Sequence, residues 1–348
     1  MSTTNPSLPD DLLLSCLALI SIQYYPNLSL VSKRFRSLIA SPELYQTRSF
    51  LGLTESFLYV CLRFPPDPNP RLFTLKKTSS ANLLVPIPVP NSPPAHWSGH
   101  VALGYNIYNI GGLIENVPSS RVSILDCRSN TWREAQNMRV KRFAPSASVV
   151  DGKIYVAGGN KDGEYPIEVF DAKSQIWDHV PNPCLKIQTC FSKSACIEGK
   201  FHLMCGSKNL AYGPKDGRWD LVEQVLGQSW SWFSNCVIDN VLYCYDKGAF
   251  QWYDSKVRLW KNVKGLEGLP QFDHHTPVKL ADYGGKMAVL WDEIVPSIGY
   301  RKMIWCAVIV LERHNGKSEK ILGKVEWCDG VLEVPRSSQF EYAIGVNF

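Results

Sequence analysis

Residues able to do covalent or metal chemistry are present in this chain, but not in the groupings that such chemistry requires. His274 and His275 are adjacent and Cys190 is close to Cys196, yet neither pair is matched by a second pair at zinc-ligand spacing, and no Cys-x-x-Cys occurs. No Gly-x-Ser-x-Gly elbow for a nucleophilic serine is present, and no Gly-Lys-Ser or Gly-Lys-Thr lies near the paired glycines. The sequence therefore predicts no catalytic residues, no metal and no cofactor.

The cysteine usage indicates a protein of a reducing compartment. The 348 residues include 11 cysteines, an odd number at scattered spacings, and Cys61, Cys244 and Cys306 lie inside apolar runs, where cysteine acts as a small hydrophobe. The apolar run at 12–20 follows two acids rather than basic residues, which argues against a signal peptide, and no apolar stretch is long enough to span a membrane. We expect a location in the cytoplasm, the nucleus or both, and no membrane partner.

The charge of the chain is mild for its length. The formal net charge is +5 at pH 7, and short basic clusters occur at positions 33–36 and 139–142. Clusters of this size are more often a solvated helix face or loop than a nucleic-acid surface. We expect no nucleic-acid partner.

The regular placement of tryptophan indicates how the chain is built. Each of four short apolar runs is followed at the same distance by a tryptophan, and three of the runs end in aspartate, at Asp126, Asp171 and Asp254. The tryptophans recur about every 40 to 45 residues, a period long enough for one small antiparallel sheet and characteristic of a propeller blade. They are Trp132, Trp177, Trp219 and Trp260, which we expect to pack between blades.

The turn residues within a unit predict its strands. In the clearest unit an apolar run meets Asp151-Gly152, which is a strong signal for a tight hairpin turn. The next run ends in Gly158-Gly159, and two further runs, 167–171 and the one that carries Trp177, complete four strands. The later units lose the glycine pair, which indicates degenerate blades.

These glycine pairs, hydrophobic strands and later tryptophans resemble the kelch repeat of β-propellers. The runs 58–62 and 71–75 look like the second and third strands of a first blade that lacks its own first strand, and residues 286–327 supply three strands of a last blade. The run 340–346 is left over, and we assign it to the first blade, where it would close the ring and remove exposed sheet edges. We predict six blades.

The first fifty residues lack strand alternation and are predicted to be helical. Ser7-Leu8-Pro9-Asp10 has the capping serine, early proline and acid that start a helix, and further helices are predicted to begin at Asn27 and Ser41. The first helix is apolar on every side, and a module of about 40 residues seldom buries enough surface to be stable alone. It therefore needs a partner, or the propeller, to cover it.

The segment Leu8-Pro9-Asp10-Asp11-Leu12, together with residues 28–39, resembles an F-box, although Phe35 stands where many F-boxes have tryptophan. An F-box followed by a kelch propeller is the arrangement of the plant F-box/kelch-repeat family, and the resemblance covers almost the whole chain. The predicted fold is mainly β, a six-bladed kelch-type β-propeller preceded by a small all-α module. The expected boundaries are a disordered segment at 1–6, the F-box at 7–50 and the propeller at 51–348.

The resemblance implies a subunit without catalytic activity in an SCF-type cullin ubiquitin ligase. The F-box would dock on a Skp-type adaptor, and through it on cullin, while the propeller presents a target protein for ubiquitination. The chain would supply effective concentration and orientation, and the chemistry would occur on other subunits. The residues expected to enter the adaptor are Leu8, Pro9, Leu12, Leu13, Leu17, Val31 and Phe35.

A target would meet the loops that, in kelch propellers, enter the first strand of each blade around the central opening. Aromatic and arginine side chains in such loops are the usual energetic anchors of an interface. Arg142 is the first choice, since kelch proteins often present a basic side chain at that position to an acidic segment. The candidate residues are His96, Trp97, Arg139, Arg142, Phe191, Trp230, Trp232, His274 and His275.

Two other functions remain open from the sequence. A propeller enzyme of the galactose-oxidase type would need a copper site of tyrosines, histidines and a cross-linked cysteine, and no convincing set is present. A non-degradative kelch scaffold would use the same propeller, with helices that pack on it or bind something other than the adaptor.

Overall fold

The computed structural model describes residues 8–67, 69–78, 81–89, 92–93, 96–160, 167–181, 192–205, 208–222, 234–272, 276–295, 299–314 and 319–348. Within these ranges, four α-helices come first and six four-stranded antiparallel sheets follow. The helices are α1 (Asp10–Ala18), α2 (Tyr25–Leu28), α3 (Lys33–Ala40) and α4 (Pro42–Phe50), with a 3-10 turn at Ile22–Tyr24.

The second predicted helix is divided in the structure, so its predicted start at Asn27 is wrong. The chain is already helical at Tyr25, α2 ends at Leu28, and α3 begins only at Lys33. Ser32 is the cause: its backbone is extended and its hydroxyl accepts a hydrogen bond from the backbone N–H of Phe35, which starts a new helix. The third predicted helix begins at Pro42 with Ser41 before it, as the sequence indicated.

The strands are grouped into six blades, numbered here along the chain. Blade 1 holds β1 (Ser56–Arg63), β2 (Arg71–Lys77) and β3 (Asn82–Pro86), together with the last strand, β26 (Gln339–Asn347). Blade 2 holds β4 (Gly99–Leu103), β5 (Asn106–Ile110), β8 (Val122–Asp126) and β9 (Thr131–Glu134), and a small hairpin, β6 (Leu113–Ile114) and β7 (Val117–Pro118), projects from it. Blade 3 holds β10 (Ser146–Val150), β11 (Lys153–Ala157), β12 (Ile167–Asp171) and β13 (Ile176–His179).

The remaining three blades follow the same order. Blade 4 holds β14 (Ser192–Ile197), β15 (Lys200–Cys205), β16 (Lys208–Gly213) and β17 (Arg218–Val222). Blade 5 holds β18 (Asn235–Ile238), β19 (Val241–Asp246), β20 (Ala249–Asp254) and β21 (Leu259–Asn262). Blade 6 holds β22 (Lys279–Tyr283), β23 (Lys286–Ile294), β24 (Arg301–His314) and β25 (Lys320–Pro335).

The ring is closed by the end of the chain, which confirms the predicted six blades and the assignment of the surplus strand. β26 lies antiparallel to β1, with a register that runs from Ser56 opposite Asn347 to Arg63 opposite Gln339. It thereby becomes the first strand of blade 1, and the first strands of all six blades contact one another in a closed circle. The inner edge of each sheet is covered as a result.

The repeated tryptophans pack between blades, as predicted from their spacing. Each lies on the fourth strand of its blade and belongs to a cluster that spans two neighbouring blades. Trp177 and Trp219 also donate their indole N–H groups, both at 2.7 Å, to carbonyl oxygens just after the preceding blade, those of Gln136 and Pro181. An apolar ring with one polar tip suits this position, because it fills the seam and ties two blades together.

Antiparallel strands give the propeller two distinct faces. Turns between first and second strands, and between third and fourth strands, lie at one end, which we call the helix face because the chain enters β1 from the helices there. Turns between second and third strands, and the connections from one blade to the next, lie at the other end, which we call the loop face. The four α-helices and the predicted target loops therefore belong to opposite ends of the propeller.

Candidate adaptor and target surfaces

Part of the helical module presents apolar side chains to solvent. Leu8, Leu12 and Val31 are 54%, 52% and 65% exposed, and Leu30, which the sequence analysis did not single out, is 75% exposed. Arg34 of α3 bonds to Asp10 and to the carbonyl oxygen of Leu8, which fixes the start of α1 beside α3. We call Leu8, Leu12, Leu30 and Val31 the adaptor patch. Exposed apolar residues gathered in one small module are typical of an interaction site.

The other predicted adaptor residues lie deeper in the module. Pro9 is exposed, while Leu13 and Phe35 are half-buried at the edge of the core. Leu17 is 2% exposed and packs in the core that the helices share with the propeller. In this structure Leu17 therefore stabilises the helical module from inside, because it lies on the side of α1 that the rest of the protein covers.

The propeller supplies the cover that the helices need. Leu17, Leu44 and Tyr45 share one core with Tyr59, Leu72, Ile107 and Phe348 of blades 1 and 2. The Tyr45 ring packs against those of Tyr105 and Phe348, with centroids at 5.9 and 6.0 Å, and the Arg128 guanidinium lies 3.6 Å from the centroid of the Tyr105 ring. Burial raises the pKa of the Tyr45 hydroxyl, so the ring stays neutral. The helices are thereby held against the propeller by an apolar seam.

A buried arginine adds a polar part to this seam. Arg48 of α4 is 1% exposed and donates to the carbonyl oxygens of Ala18 (2.8 Å), Ile20 (2.6 Å) and Leu53 (2.7 Å), and it bonds to the carboxylate of Glu55 at 2.6 Å. The backbone of Glu55 in turn exchanges two hydrogen bonds with Phe348. One guanidinium therefore ties the end of α1 to the linker that enters β1, and through it to the end of the chain.

His96 on the loop face belongs to a charged cluster. Its Nδ1 lies 3.1 Å from Glu341 and its Nε2 lies 3.4 Å from an Arg63 guanidinium nitrogen, while Arg63 also approaches Glu341 at 3.0 Å. A carboxylate accepts and a guanidinium donates, so in this geometry Nδ1 is the donor toward Glu341 and Nε2 is the acceptor from Arg63. The cluster links blade 1 to the loop that enters blade 2, next to Trp97.

Arg142 is buried in this structure rather than presented to a target. Its side chain is 0% exposed, donates to the carbonyl oxygen of Gly158 at 2.8 Å, and pairs at 2.8 Å with Glu168, whose side chain is also 0% exposed. Burial lowers the pKa of the Arg142 guanidinium, and the neighbouring carboxylate opposes that shift. Arg139 is exposed, and its backbone N–H donates to the second oxygen of Glu168 at 2.7 Å. Both carboxylate oxygens of Glu168 therefore accept hydrogen bonds from this loop, one from Arg139 and the other from Arg142.

Several predictions lie outside the described residues, namely those for Phe191, Trp230, Trp232, His274 and His275. Among the residues that the structure describes, no group of three or more histidine, cysteine, aspartate or glutamate side chains could hold a metal ion. In the same part of the chain the eight cysteines at positions 16, 61, 127, 196, 236, 244, 306 and 328 are free thiols. No helix described there has the length and apolar character needed to cross a membrane.

Comparison with known proteins agrees with this architecture. Residues 6–47 match the F-box domain, and residues 61–332 match the FKB95 kelch-repeats domain. A solved structure described as "Structure of YjhT" shares the fold, with a TM-score of 0.52 and 11% identity over 73% of this chain and 91% of that one.

Two relatives from Arabidopsis thaliana resemble almost the whole chain. F-box/kelch-repeat protein At4g39570 is 55% identical over 99% of this chain and 92% of its own length, and F-box/kelch-repeat protein At4g39550 is 53% identical over 99% and 94%. At the level of the family, an F-box joined to a kelch propeller fits a substrate adaptor of an SCF ligase, and F-box domains generally bind Skp-type adaptors. The matched domains and these relatives together show that the chain belongs to the plant F-box/kelch-repeat family.

Proposed function

We propose that this protein is a substrate-recognition subunit of an SCF-type cullin ubiquitin ligase. Its helices dock on a Skp-type adaptor through the adaptor patch and the neighbouring Pro9, Leu13 and Phe35. The loop face of its propeller binds a target protein. The protein itself performs no chemistry, and it holds the target near a ubiquitin-conjugating enzyme, so that attack by a target lysine becomes nearly intramolecular.

The observation that carries this proposal is that two sides of the helical module face different surroundings. One side is buried against blades 1 and 2 through Leu17, Tyr45 and Arg48, while the adaptor patch stays exposed. The contact with the propeller therefore leaves the adaptor patch free for a partner. Because the seam joins the helices to the helix face, a target on the loop face would not compete with the adaptor for space.

Binding of a purified Skp-type adaptor to the full chain tests the proposal. Leu12→Asp combined with Val31→Asp should abolish the complex, because charged groups would enter an apolar interface. A matched control is Ile176→Asp combined with Leu221→Asp, since both residues are exposed aliphatic side chains on outer strands of the propeller, and it should bind as the wild type does.

Equal adaptor binding by both double variants, or no binding by the wild type, would reject the proposal. The absence of adaptor binding by the wild type is what the alternative function predicts, namely a non-degradative kelch scaffold whose helices pack on the propeller. Capture of partners from cells treated with a proteasome inhibitor then asks whether a bound target accumulates with attached ubiquitin and loses that ubiquitin when the adaptor patch is altered.

A further inference from the structure

Trp97 has a backbone conformation that is rare for its type. Its φ angle is +57°, in the left-handed region, and 43% of its surface is exposed. A bulky residue is strained there, and such strain persists only where the surroundings impose it. The strained backbone therefore does not bury the indole. It presents the indole to solvent on the loop face.

Neighbouring loops hold Trp97 in this conformation. His96 exchanges backbone hydrogen bonds with Leu113 of the small hairpin, at 3.0 and 2.6 Å. The carbonyl oxygen of Trp97 accepts from the backbone N–H of Ala144 at 2.9 Å. The indole lies 5.7 Å from the Phe143 ring and 5.5 Å from the His96 ring, measured between centroids. We call His96, Trp97 and Phe143 the aromatic platform.

The buried Arg142–Glu168 pair fixes the loop on which part of the platform lies. The backbone N–H of Arg142 donates to Ser119 and its carbonyl oxygen accepts from Gly112, both at 2.9 Å, while the next residue, Phe143, donates to Gly159 at 2.9 Å. Arg142 thus fixes the backbone of the loop that carries Phe143, and Glu168 fixes Arg142.

The glycine pairs of blades 2 and 3 make this close approach possible. A Cβ on Gly112 would lie 2.7 Å from the carbonyl oxygen of His96, and a Cβ on Gly159 would lie 2.1 Å from that of Phe143. Both glycines also have positive φ angles. The two clearest kelch glycine pairs therefore lie directly beneath the platform.

The unpaired charges on the loop that carries Phe143 have one sign, whereas the Glu341 carboxylate beside His96 is paired with Arg63. Arg139 and Lys141 are exposed on the same loop as Phe143. Among the described residues no carboxylate side chain forms an ion pair with either of them, and the Arg139 guanidinium donates to the carbonyl oxygen of Trp177 at 3.1 Å. Glu168, which accepts from the backbone N–H of Arg139, is buried and occupied by Arg142. A solvent-exposed indole on the same face as two such cations complements an apolar side chain with an acidic neighbour.

We propose that the aromatic platform anchors the target through a short extended segment, in which an apolar side chain stacks on Trp97 and an adjacent acidic residue faces Arg139 and Lys141. Arg142 and Glu168 act as positioning residues. This rests on the proposed function, in that the segment belongs to the protein to be ubiquitinated.

Selection of peptides from a random displayed library against the purified full chain tests the proposal. The selected peptides should share an apolar residue next to aspartate or glutamate. Trp97→Asn should weaken their binding by at least about tenfold with an unchanged or higher melting temperature, because asparagine tolerates the left-handed conformation. Arg258→Asn is the matched control, since Arg258 has φ +56° at a turn on the helix face, and it should bind as the wild type does.

A second variant addresses the charges. Arg139→Glu combined with Lys141→Glu should lose the acidic peptides and change the melting temperature little, since both side chains are exposed and only one hydrogen bond, from Arg139 to the carbonyl oxygen of Trp177, is removed. The proposal is overturned if the library yields no such peptide, or if selected peptides bind Trp97→Asn and the charge-reversed variant as tightly as the wild type.

Adaptor binding, measured on the same proteins, separates the two proposals. Trp97→Asn should retain the adaptor, because the platform is on the opposite face. A wild-type chain that binds the peptides at Trp97 but no adaptor would reject the ligase function and leave the peptide site standing. A wild-type chain that binds the adaptor but no peptides would reject the peptide site and leave the ligase function standing.

Discussion

A buried arginine lies at each face of the propeller, but the two arginines have different partners and different structural roles. Arg48, at the helix face, donates mainly to main-chain carbonyl oxygens, and its carboxylate partner Glu55 is partly exposed. Arg142, at the loop face, is paired with Glu168, and neither side chain is exposed at all. The first joins two modules, and the second holds loops within one module. The difference predicts that loss of Arg48 loosens the helices, whereas loss of Arg142 weakens the propeller.

The largest effect is expected from Arg142→Met. It leaves the Glu168 carboxylate buried without a charged partner, which should lower the free energy of unfolding by about 3–5 kcal/mol. Denaturant titration of the full chain measures the change. Arg121→Met is the matched control, because the Arg121–Glu134 pair is half-exposed and should cost no more than about 1 kcal/mol.

A second variant identifies the cause. Arg142→Met combined with Glu168→Leu removes the isolated charge and should recover much of the loss. A cost for Arg142→Met as small as that for Arg121→Met would show that the buried pair does not support the loop face.

A smaller and more local effect is expected from Arg48→Met. The carbonyl oxygens of Ala18, Ile20 and Leu53 would lose a buried donor, at a cost of about 1–3 kcal/mol. Hydrogen exchange measured by mass spectrometry should become faster in α1 and α4 and remain unchanged in blades 3 to 5. Equal acceleration in those blades would contradict the assignment of Arg48 to the seam between modules.

The smallest effect concerns His100, on the inner strand of blade 2, whose ring stacks on that of Tyr342 in the closing strand β26 at 3.8 Å. Burial, with a smaller contribution from Lys279, lowers the pKa of His100 to about 3. An unfolded histidine has a pKa near 6.5 and binds its proton first as the pH falls. The contribution of neutral, buried His100 to the free energy of unfolding is therefore complete above about pH 6.5. It is lost progressively toward pH 3, with about 1–2 kcal/mol lost at pH 5.

His100→Phe keeps an aromatic ring against Tyr342 and removes the titration. Its free energy of unfolding should fall less between pH 7 and pH 5 than that of the wild type. An identical pH dependence for His100→Phe and the wild type would show that ring closure does not respond to this histidine.

The blades were predictable from the sequence because their signals are local. Trp177 follows its strand at a fixed distance, Asp151-Gly152 marks a turn, and the run that became β26 had no other blade to complete. The break before α3 was missed because it depends on one hydroxyl, that of Ser32, bonding to the backbone of Phe35.

The burial of Arg142 was missed for a different reason. Its partner Glu168 lies in the next blade, and an arginine in a polar loop gives no local sign that a carboxylate will reach it. The same holds for Leu17, which is one leucine among several on α1, and only the docking of the helices on Tyr59 and Phe348 decides which of them is covered.

Adaptor and target are proposed to bind at opposite ends of this protein. Hydrogen exchange of the full chain, with and without a Skp-type adaptor, tests this arrangement most directly. Exchange should become slower in α1 and at residues 29–35, and should not change at residues 96–97 and 138–144. Slower exchange at those loop-face residues, or no change in α1, would contradict the account.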